Sequence, residues 1–359
     1  MINVTKTFLP PYHEYEPYLK DIYNRAWLTN NGPLLNELEL KLKEYLDVDH
    51  MLVLSNGTIA LQMALKALDI KGEVITTPFS YVATTSSIVW ENCQPVFVDI
   101  DEDDFNIDPG KIEAAITPQT TAILATHVYG NACKIDEIRQ IAEKHNLKVI
   151  YDAAHCFGTS YKNRSIFNYG DVVTTSFHAT KIFQTVEGGA VFTQDPQLLR
   201  RLSLLRNFGH TSPTSFEGVG INAKNSELHA AMGLCVLKYM PQILETRKKQ
   251  WLYYLQKLAG LHCRFLKINT DCEFNYSYFP IVFKTEESLV KSIEALNNQY
   301  VFPRRYFFPS LSTLDYVNKF DCPVAEDISP KVLCLPLYHD LKQEEQDMIC
   351  RILLRVQNN

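Results

Sequence analysis

The sequence is short of the features that mark nucleic-acid-binding, disulfide-bonded or membrane proteins. Its 35 Lys and Arg residues are outnumbered by 41 Asp and Glu, and the formal net charge of -6 leaves no basic surplus for a polyanionic partner. Nine cysteines occur without any C-x-x-C spacing, which argues against a disulfide framework or a zinc site and suits a reducing compartment. No apolar run approaches the ~20 residues that a membrane span requires, and the N-terminus lacks the pattern of a signal peptide. We therefore expect a cytoplasmic protein that binds no metal, nucleic acid or membrane.

What the sequence has instead is an alternation of short apolar runs with longer amphipathic ones between residues 50 and 195. Several short runs are almost entirely apolar, as strands covered on both faces tend to be. The predicted strands are Met51–Leu54, Glu73–Thr77, Pro95–Asp99, Ala122–Thr126, Lys148–Tyr151, Val172–Ser176 and Ala190–Thr193. The predicted helices are Thr58–Leu68, Tyr81–Asn92, Asp108–Ala115 and Lys134–His145. This α/β alternation predicts a mostly parallel seven-stranded sheet between helices, with ligands bound beyond the carboxyl ends of the strands.

The chain is too long for one small core, so we expect two domains. Residues 196–250 are predicted to be helical, interrupted by a flexible Gly/Ser/Thr-rich segment at 209–220. The rest mixes strands and helices, with a strand over Tyr276–Phe283 and a helix over Glu286–Gln299. With a change of domain near Pro241, residues 1–240 form a large domain and residues 241–359 a smaller C-terminal α/β domain.

The most informative segment surrounds Lys181. It reads SFHATK over residues 176–181 and is followed by a Gly-Gly pair at 188–189, while an upstream apolar run ends on Asp152. Pyridoxal phosphate (PLP) needs an amine to form a Schiff base and a carboxylate to keep its ring nitrogen protonated, so that the ring can accept electrons. Lys181 and Asp152 are therefore candidate catalytic residues. The alternatives are a surface lysine and a capping aspartate.

Phosphate-binding signals accompany this pair. Residues 55–58 (SNGT) lie between a predicted strand and a predicted helix. There Gly57 lets the backbone approach a phosphate, and Thr58 and the free N–H groups of the helix start can donate to it. Ser176 is a further candidate donor. A routine turn with Thr58 as the helix cap would give the same pattern.

His155 and Tyr81 are the remaining candidates for contact with the cofactor. His155 follows Asp152 by three residues and could hydrogen-bond the phenolic oxygen, although a lone histidine is more often a packed residue. Tyr81 could stack over the ring, since offset stacking both binds and orients a flat heterocycle. Packing in the core is the alternative for Tyr81.

In order and spacing, these motifs resemble those of the DegT-like sugar-nucleotide aminotransferases, a branch of the fold type I PLP enzymes. The resemblance runs nearly end to end. Its segments are WLTNNGP at 27–33, SNGT at 55–58, PVFVDID at 95–101, YG at 129–130, DAAH at 152–155, SFHATK at 176–181, EGG at 187–189, NFG at 207–209, GINAK at 220–224 and LP at 335–336. It implies the fold type I architecture, with a large PLP-binding domain and a smaller C-terminal one. Sugar dehydratases of the family have His in place of the lysine, so Lys181 favours transamination.

The resemblance also implies a role for each candidate residue. Lys181 would hold the cofactor and shuttle the proton as PLP cycles through pyridoxamine phosphate, and Asp152 would pair with the ring nitrogen. The implied cofactor contacts are Gly57, Thr58, Tyr81, Asp152, His155, Ser176, Lys181 and Asn222. Asn222 would reach the phosphate from the neighbouring subunit, which implies a homodimer with shared active sites.

Within the family, three segments are most similar to the enzymes that make dTDP-4-amino-4,6-dideoxyglucose. They are TNNGP at 29–33, SFHATK at 176–181 and RRYFFP at 304–309. The implied substrates are a nucleotide-linked keto sugar, dTDP-4-keto-6-deoxyglucose, and L-glutamate. Candidate substrate contacts are Asn31, Lys224, Arg304, Arg305 and Tyr306. Surface salt bridges and aromatic packing would explain the last three equally well.

Three other interpretations stay open on the sequence. Amination at C3, or of a UDP or GDP sugar, would use the same chemistry, because the sugar contacts come from loops and from the partner subunit. A PLP-binding regulator without turnover is a different class of protein, but no DNA-binding segment is appended to the chain. A doubly wound binding module without PLP would make Lys181, Asp152 and residues 55–58 coincidences.

Overall fold

The computed structural model describes residues 1–357. Its strands are β1 (Ile2–Asn3), β2 (Met51–Leu54), β3 (Glu73–Thr76), β4 (Gln94–Phe97), β5 (Thr120–Thr126), β6 (Lys148–Asp152), β7 (Ser160–Tyr161), β8 (Arg164–Ser165), β9 (Val172–Ser176), β10 (Gly189–Phe192), β11 (His210–Ser212), β12 (Ser215–Phe216), β13 (Cys263–Phe265), β14 (Cys272–Glu273), β15 (Phe279–Phe283), β16 (Val301–Phe302) and β17 (Val332–Leu335). Its helices are α1 (Tyr12–Arg25), α2 (Pro33–Leu46), α3 (Gly57–Ala67), α4 (Val82–Trp90), α5 (Pro109–Ile112), α6 (Ile135–His145), α7 (Pro196–Arg206), α8 (Glu227–Leu237), α9 (Met240–Lys257), α10 (Glu286–Asn297), α11 (Pro323–Ile328) and α12 (Gln343–Gln357). Within this range no helix combines the length and the apolar content needed to cross a membrane.

A seven-stranded sheet forms the centre of the molecule, in the order β2-β10-β9-β6-β5-β3-β4. The five strands from β9 to β4 are parallel to one another, and β10 is antiparallel to both β2 and β9. The predicted mostly parallel α/β sheet is confirmed.

Helices cover both faces of this sheet because successive strand residues point to opposite sides. In β6, Val149 and Tyr151 belong to a buried cluster that includes residues of α2, α6 and α8. Ile150, between them, belongs to a second cluster with residues of α3. The near-continuous apolar strands of the sequence reflect this burial on both faces.

The register of the sheet brings the predicted site residues to one edge. Thr126, the last residue of β5, is paired with Asp152, the last residue of β6. Gly189, the first residue of the antiparallel strand β10, lies between Leu54 and Ser176, the last residues of β2 and β9. The loops that follow these strands therefore meet at the carboxyl edge of the sheet.

The C-terminal part has its own antiparallel sheet, in the order β13-β15-β17. Helices α10 and α12 pack together beside it, and Ile281, Leu296, Leu333 and Leu353 share one buried cluster. Strand β1 pairs with β16, so the N-terminal strand joins this part of the chain. A boundary between residues 240 and 241 stays a prediction, and residues 358–359 of the predicted small domain lie outside the described residues.

The segment at 209–220, predicted to interrupt the helices, contains the hairpin β11–β12, and its flexibility stays a prediction. One local prediction differs from the structure. The strand predicted over Tyr276–Phe283 begins only at Phe279, because Tyr276 has a left-handed backbone with φ of 57°. Such a conformation interrupts a strand.

Candidate active site

A cavity of about 270 Å³ lies at the carboxyl edge of the sheet. The ends of β6 and β9 and the starts of α3 and α4 line it, together with Arg304, Tyr306 and Phe307. The predicted contact residues that line it are Gly57, Thr58, Tyr81, Asp152, His155, Ser176, Lys181, Arg304 and Tyr306. Those that do not line it are Asn31, Asn222, Lys224 and Arg305.

Lys181 lies in the turn after β9, half-buried, with its backbone N–H donating to the carbonyl of His178. Burial lowers the pKa of its amine to about 8, and the positive charge of Arg304 acts in the same direction, against an opposing effect of Asp152. An amine with such a pKa is partly neutral near physiological pH and can act as a nucleophile or a base. Lys181 is therefore not the surface lysine of the alternative interpretation.

Asp152 is the buried carboxylate of the cavity, with 6% of its surface exposed. One oxygen accepts from the hydroxyl of Thr84 at 2.8 Å and the other from the N–H of Ala154 at 3.1 Å. Burial raises the pKa of Asp152, while these two hydrogen bonds and the charge of Lys181 oppose the rise. Asp152 precedes a turn rather than a helix, so it is not a helix cap.

The Thr84 hydroxyl belongs to a set of residues that the sequence interpretation missed. Ser80 bonds to Thr84 at 2.8 Å and to Thr126 at 2.9 Å, and all three side chains are buried. Ser80 lies just before α4 and Thr84 in its first turn. Hydroxyl residues at both positions, in a segment that also contains Thr85, Ser86 and Ser87, were the available signal.

The N-terminus of α3 provides an anion-binding position opposite the end of β9. The first N–H groups of a helix have no partner within the helix, and here the Asn56 side chain caps only that of Ile59. Asn56 is therefore the cap, and the exposed Thr58 is not. A Cβ at Gly57 would lie 2.9 Å from that of Ser176, so the glycine is needed for this close approach.

His155 forms one wall of the cavity. Its ring lies parallel to that of Phe307 at 5.8 Å, and burial holds the pKa of the imidazole well below its ordinary value. Its Nδ1 is buried and has no hydrogen-bond partner among the described residues. Asn275 and Ser277, from the C-terminal part of the chain, donate to its backbone carbonyl.

The two adjacent arginines have different positions. Arg304 lines the cavity, with its guanidinium 4.2 Å from the centre of the Tyr306 ring. Arg305 faces away from the cavity and forms a salt bridge with Glu286 at 2.6 Å. The structure thus separates a residue available to a ligand from one that is already paired.

The remaining candidates lie outside the cavity of their own chain. Asn222 is exposed and forms an isolated bridge with Asn207. Lys224 donates to the Asn207 side chain at 2.8 Å and lies over the ring of Phe208. Asn31 is half-buried just before α2, in a left-handed conformation with φ of 55°.

The residues of the cavity fit PLP. A lysine amine, a buried carboxylate at the end of a strand and a helix N-terminus with a glycine face one space. The unpartnered Nδ1 of His155 would be satisfied by a polar atom of a bound ligand, since buried polar groups are rarely left unpaired. A pyridinium N–H would compensate the buried charge of Asp152.

Known proteins of similar sequence and fold are aminotransferases or transaminases. The sequence model of the DegT/DnrJ/EryC1/StrS aminotransferase family matches residues 12–354. The dTDP-4-amino-4,6-dideoxy-D-glucose transaminase of Shigella dysenteriae is 43% identical over 350 residues, covering 96% of this chain and 95% of that protein. The transaminase of the same name from Escherichia coli is 41% identical over 365 residues, covering 98% of each. The crystal structure of DesI in the presence of its TDP-sugar product has a TM-score of 0.94 at 30% identity, over 99% of this chain and 93% of that one.

Proposed function

Because the chain belongs to the DegT/DnrJ/EryC1/StrS aminotransferase family, a family of PLP-dependent enzymes, we propose that it aminates a nucleotide-linked keto sugar. The substrate is dTDP-4-keto-6-deoxyglucose and the amino donor is L-glutamate. The products are dTDP-4-amino-4,6-dideoxyglucose and 2-oxoglutarate. The Shigella and Escherichia relatives support this choice of sugar, since each is named for this product and is more than 40% identical over nearly the whole chain.

The observation that carries the proposal is the placement of Lys181 and Asp152 in one cavity with the N-terminus of α3. When bound there, PLP supplies a protonated ring that takes up the electrons released at the reacting carbon. Asp152 keeps the ring nitrogen protonated. Lys181, with its lowered pKa, takes the proton from the donor's Cα and delivers it to the cofactor, and in the second half it moves a proton from the cofactor to C4 of the sugar.

The other cavity residues bind and orient. The N–H groups at the start of α3 and the Ser176 hydroxyl hold the phosphate, with Gly57 allowing the approach. Tyr81, just before α4 and half-exposed, stacks on the ring, and His155 contacts the phenolic oxygen. Arg304 and Tyr306 line the cavity and contact the substrate.

The active form in this proposal is a homodimer. Trp27, Leu28, Ile221 and Leu228 are large apolar residues that are exposed in the single chain. Leu28 and Leu228 lie close together, since the N–H of Glu227 donates to the carbonyl of Leu28. Exposed large apolar residues of this kind favour burial in an interface. Asn222, exposed and next to Ile221 in the chain, would serve the partner's cavity.

The test is a two-stage assay with purified protein and PLP. Glutamate should convert the visible band of the bound cofactor to that of the pyridoxamine form. Addition of dTDP-4-keto-6-deoxyglucose should then restore the band and yield a 4-amino sugar nucleotide, identified by mass spectrometry and NMR. Lys181→Ala should abolish turnover, because no other amine is placed in the cavity among the described residues, and should leave the circular dichroism spectrum unchanged.

This assay distinguishes a wrong choice of sugar substrate from a wrong assignment of the PLP chemistry. If glutamate converts the band but this sugar is inert, the parallel arms with a 3-keto isomer and with UDP- and GDP-linked 4-keto sugars identify the substrate. If no visible band forms with PLP, the roles of Lys181 and Asp152 are wrong. Substantial transamination by Lys181→Ala would contradict the role of the lysine alone.

A further inference from the structure

A buried row of three hydroxyl groups ends on Asp152. Thr126 at the end of β5, Ser80 before α4 and Thr84 in its first turn form contacts of 2.9 and 2.8 Å, and Thr84 donates to Asp152 at 2.8 Å. Thr84 is completely buried, and Ser80 and Thr126 are nearly so. A threonine in a helix can satisfy its hydroxyl on a carbonyl of its own helix. Thr84 bonds to the carboxylate of another element instead.

The hydrogen atoms of this row can be assigned by counting donors. An ionised carboxylate only accepts, so the one hydrogen of Thr84 is committed to Asp152. Thr84 must then accept from Ser80, and Ser80 from Thr126. The three O–H dipoles therefore point the same way, towards the negative charge, and each strengthens the next. A protonated Asp152 could itself donate a hydrogen bond, and the three O–H groups would then no longer be held in this common direction.

We infer that Thr84, supported by Ser80 and Thr126, is a positioning residue that keeps Asp152 ionised and oriented towards the ring nitrogen of the cofactor. The inference rests on the proposed role of Asp152 in binding PLP. Asp152 and the ring nitrogen share one proton, and catalysis requires that proton on the ring. Bonds donated to the carboxylate favour its charged form and so leave the proton on the nitrogen.

Other groups around Asp152 contribute little to keeping its carboxylate ionised. Among residues 1–357, Lys181 is the one cation with a charge effect on Asp152, and in the working enzyme its amine is engaged with the cofactor and the substrate. Cys156 interacts with Asp152, but burial raises the pKa of its thiol well above the ordinary value, so it is uncharged. The Ala154 N–H is the other hydrogen-bond donor to the carboxylate. Thr84 is therefore the side-chain donor on which the charged form depends.

The test compares four variants as PLP-loaded enzymes. Thr84→Val removes the hydroxyl and keeps the shape, Thr84→Ser keeps the hydroxyl, and Ser80→Ala removes the second member of the row. Thr85→Val is the matched control, because Thr85 is the next residue, is equally buried, and its hydroxyl has no partner within residues 1–357. The measurements are the pH profile of kcat, and the ¹⁵N chemical shift of the ring nitrogen with labelled PLP.

For Thr84→Val we expect kcat about tenfold lower at neutral pH, the loss that corresponds to one hydrogen bond to a charged group. The acid limb of its pH profile should move to higher pH, and the ¹⁵N signal should move towards that of an unprotonated ring. Ser80→Ala should show smaller changes in the same direction. Thr84→Ser and Thr85→Val should match the parent in both measurements.

The inference is overturned if Thr84→Val keeps the parent's ¹⁵N shift and pH profile, even if it is slower or less stable. If Thr84→Val does not fold, a parental ¹⁵N shift and pH profile in Ser80→Ala would overturn it instead. Failure of the proposed function is distinct, since the parent protein itself would then form no visible band with PLP.

Discussion

At the scale of single residues, the site depends on two charges that burial disfavours. Burial favours the neutral form of both Lys181 and Asp152. The lysine amine can therefore act as a base, and the charge of the Asp152 carboxylate depends on the hydrogen bonds donated to it. The same lysine on the surface would be almost fully protonated at neutral pH. The chemistry therefore arises from position as much as from residue type.

The first prediction concerns the pH at which PLP-free protein captures PLP. Capture requires the neutral amine of Lys181, whose pKa of about 8 leaves about a tenth of it neutral at pH 7. The pKa is lowered, so the neutral fraction rises as pH increases through 8. The capture rate, followed by stopped-flow absorbance, should rise with pH with a midpoint near 8. A midpoint at the ordinary pKa of a lysine would contradict the effect of burial.

The two adjacent arginines provide the control for this prediction. Arg304 lowers the pKa of Lys181 by its charge, so Arg304→Gln should move the capture midpoint to higher pH. Arg305→Gln removes the same charge one residue further along, where it is paired with Glu286 outside the cavity. The Arg305 variant should keep the parent's midpoint. Equal shifts in both variants would show a long-range effect of net charge instead.

At the scale of elements, the phosphate position is formed where α3 approaches the end of β9. The second prediction is that Gly57→Ala weakens PLP binding about tenfold, because the added Cβ would lie 2.9 Å from that of Ser176 and must push the helix start away. Equilibrium titration with PLP measures the loss. Gly260→Ala is the matched control, since nothing lies within 4 Å of its added Cβ. Parental affinity in Gly57→Ala would show that this approach is not needed.

The sequence predicts features that depend on neighbouring residues better than features that depend on contacts between distant segments. The strands around Asp152 and Ser176 follow from apolar runs, and Lys181, Gly57 and Thr58 follow from motifs beside them. Local pattern determines such features. The hydrogen bonds of Ser80 and Thr126 join elements that are distant in sequence. The row of hydroxyl groups that they form could therefore not be predicted from either segment alone. The pairing of Arg305 with Glu286 depends in the same way on the packing of α10.

Within the C-terminal part, the same limit explains the strand that begins late. The predicted strand includes Tyr276, and aromatic residues are frequent in strands. In the structure its neighbours Asn275 and Ser277 donate to the backbone carbonyl of His155. Tertiary contact therefore overrides the local preference for a strand beside the cavity.

At the scale of the whole molecule, one chain places most of the predicted contacts in its cavity and leaves some outside. Asn222 and Lys224 lie outside it, and Ile221, next to Asn222 in the chain, is an exposed apolar residue. In a two-fold dimer, residues on one face of each chain can complete the site of the other. The cavity of a single chain would then be incomplete, and activity would depend on pairing.

The last prediction tests this sharing with mixed dimers. A Lys181→Ala chain paired with an Asn222→Ala chain has one site with both defects and one site with neither, provided that Asn222 acts across the interface. Such a dimer, isolated with two affinity tags, should have about half the parent's activity, whereas each variant alone should be impaired. The reciprocal control pairs a chain carrying both substitutions with an unchanged chain. It should be impaired, because each of its sites then has one defect. If Asn222 acts within its own chain, the two results exchange, since the first dimer would have a defect in each site and the control would keep one intact site.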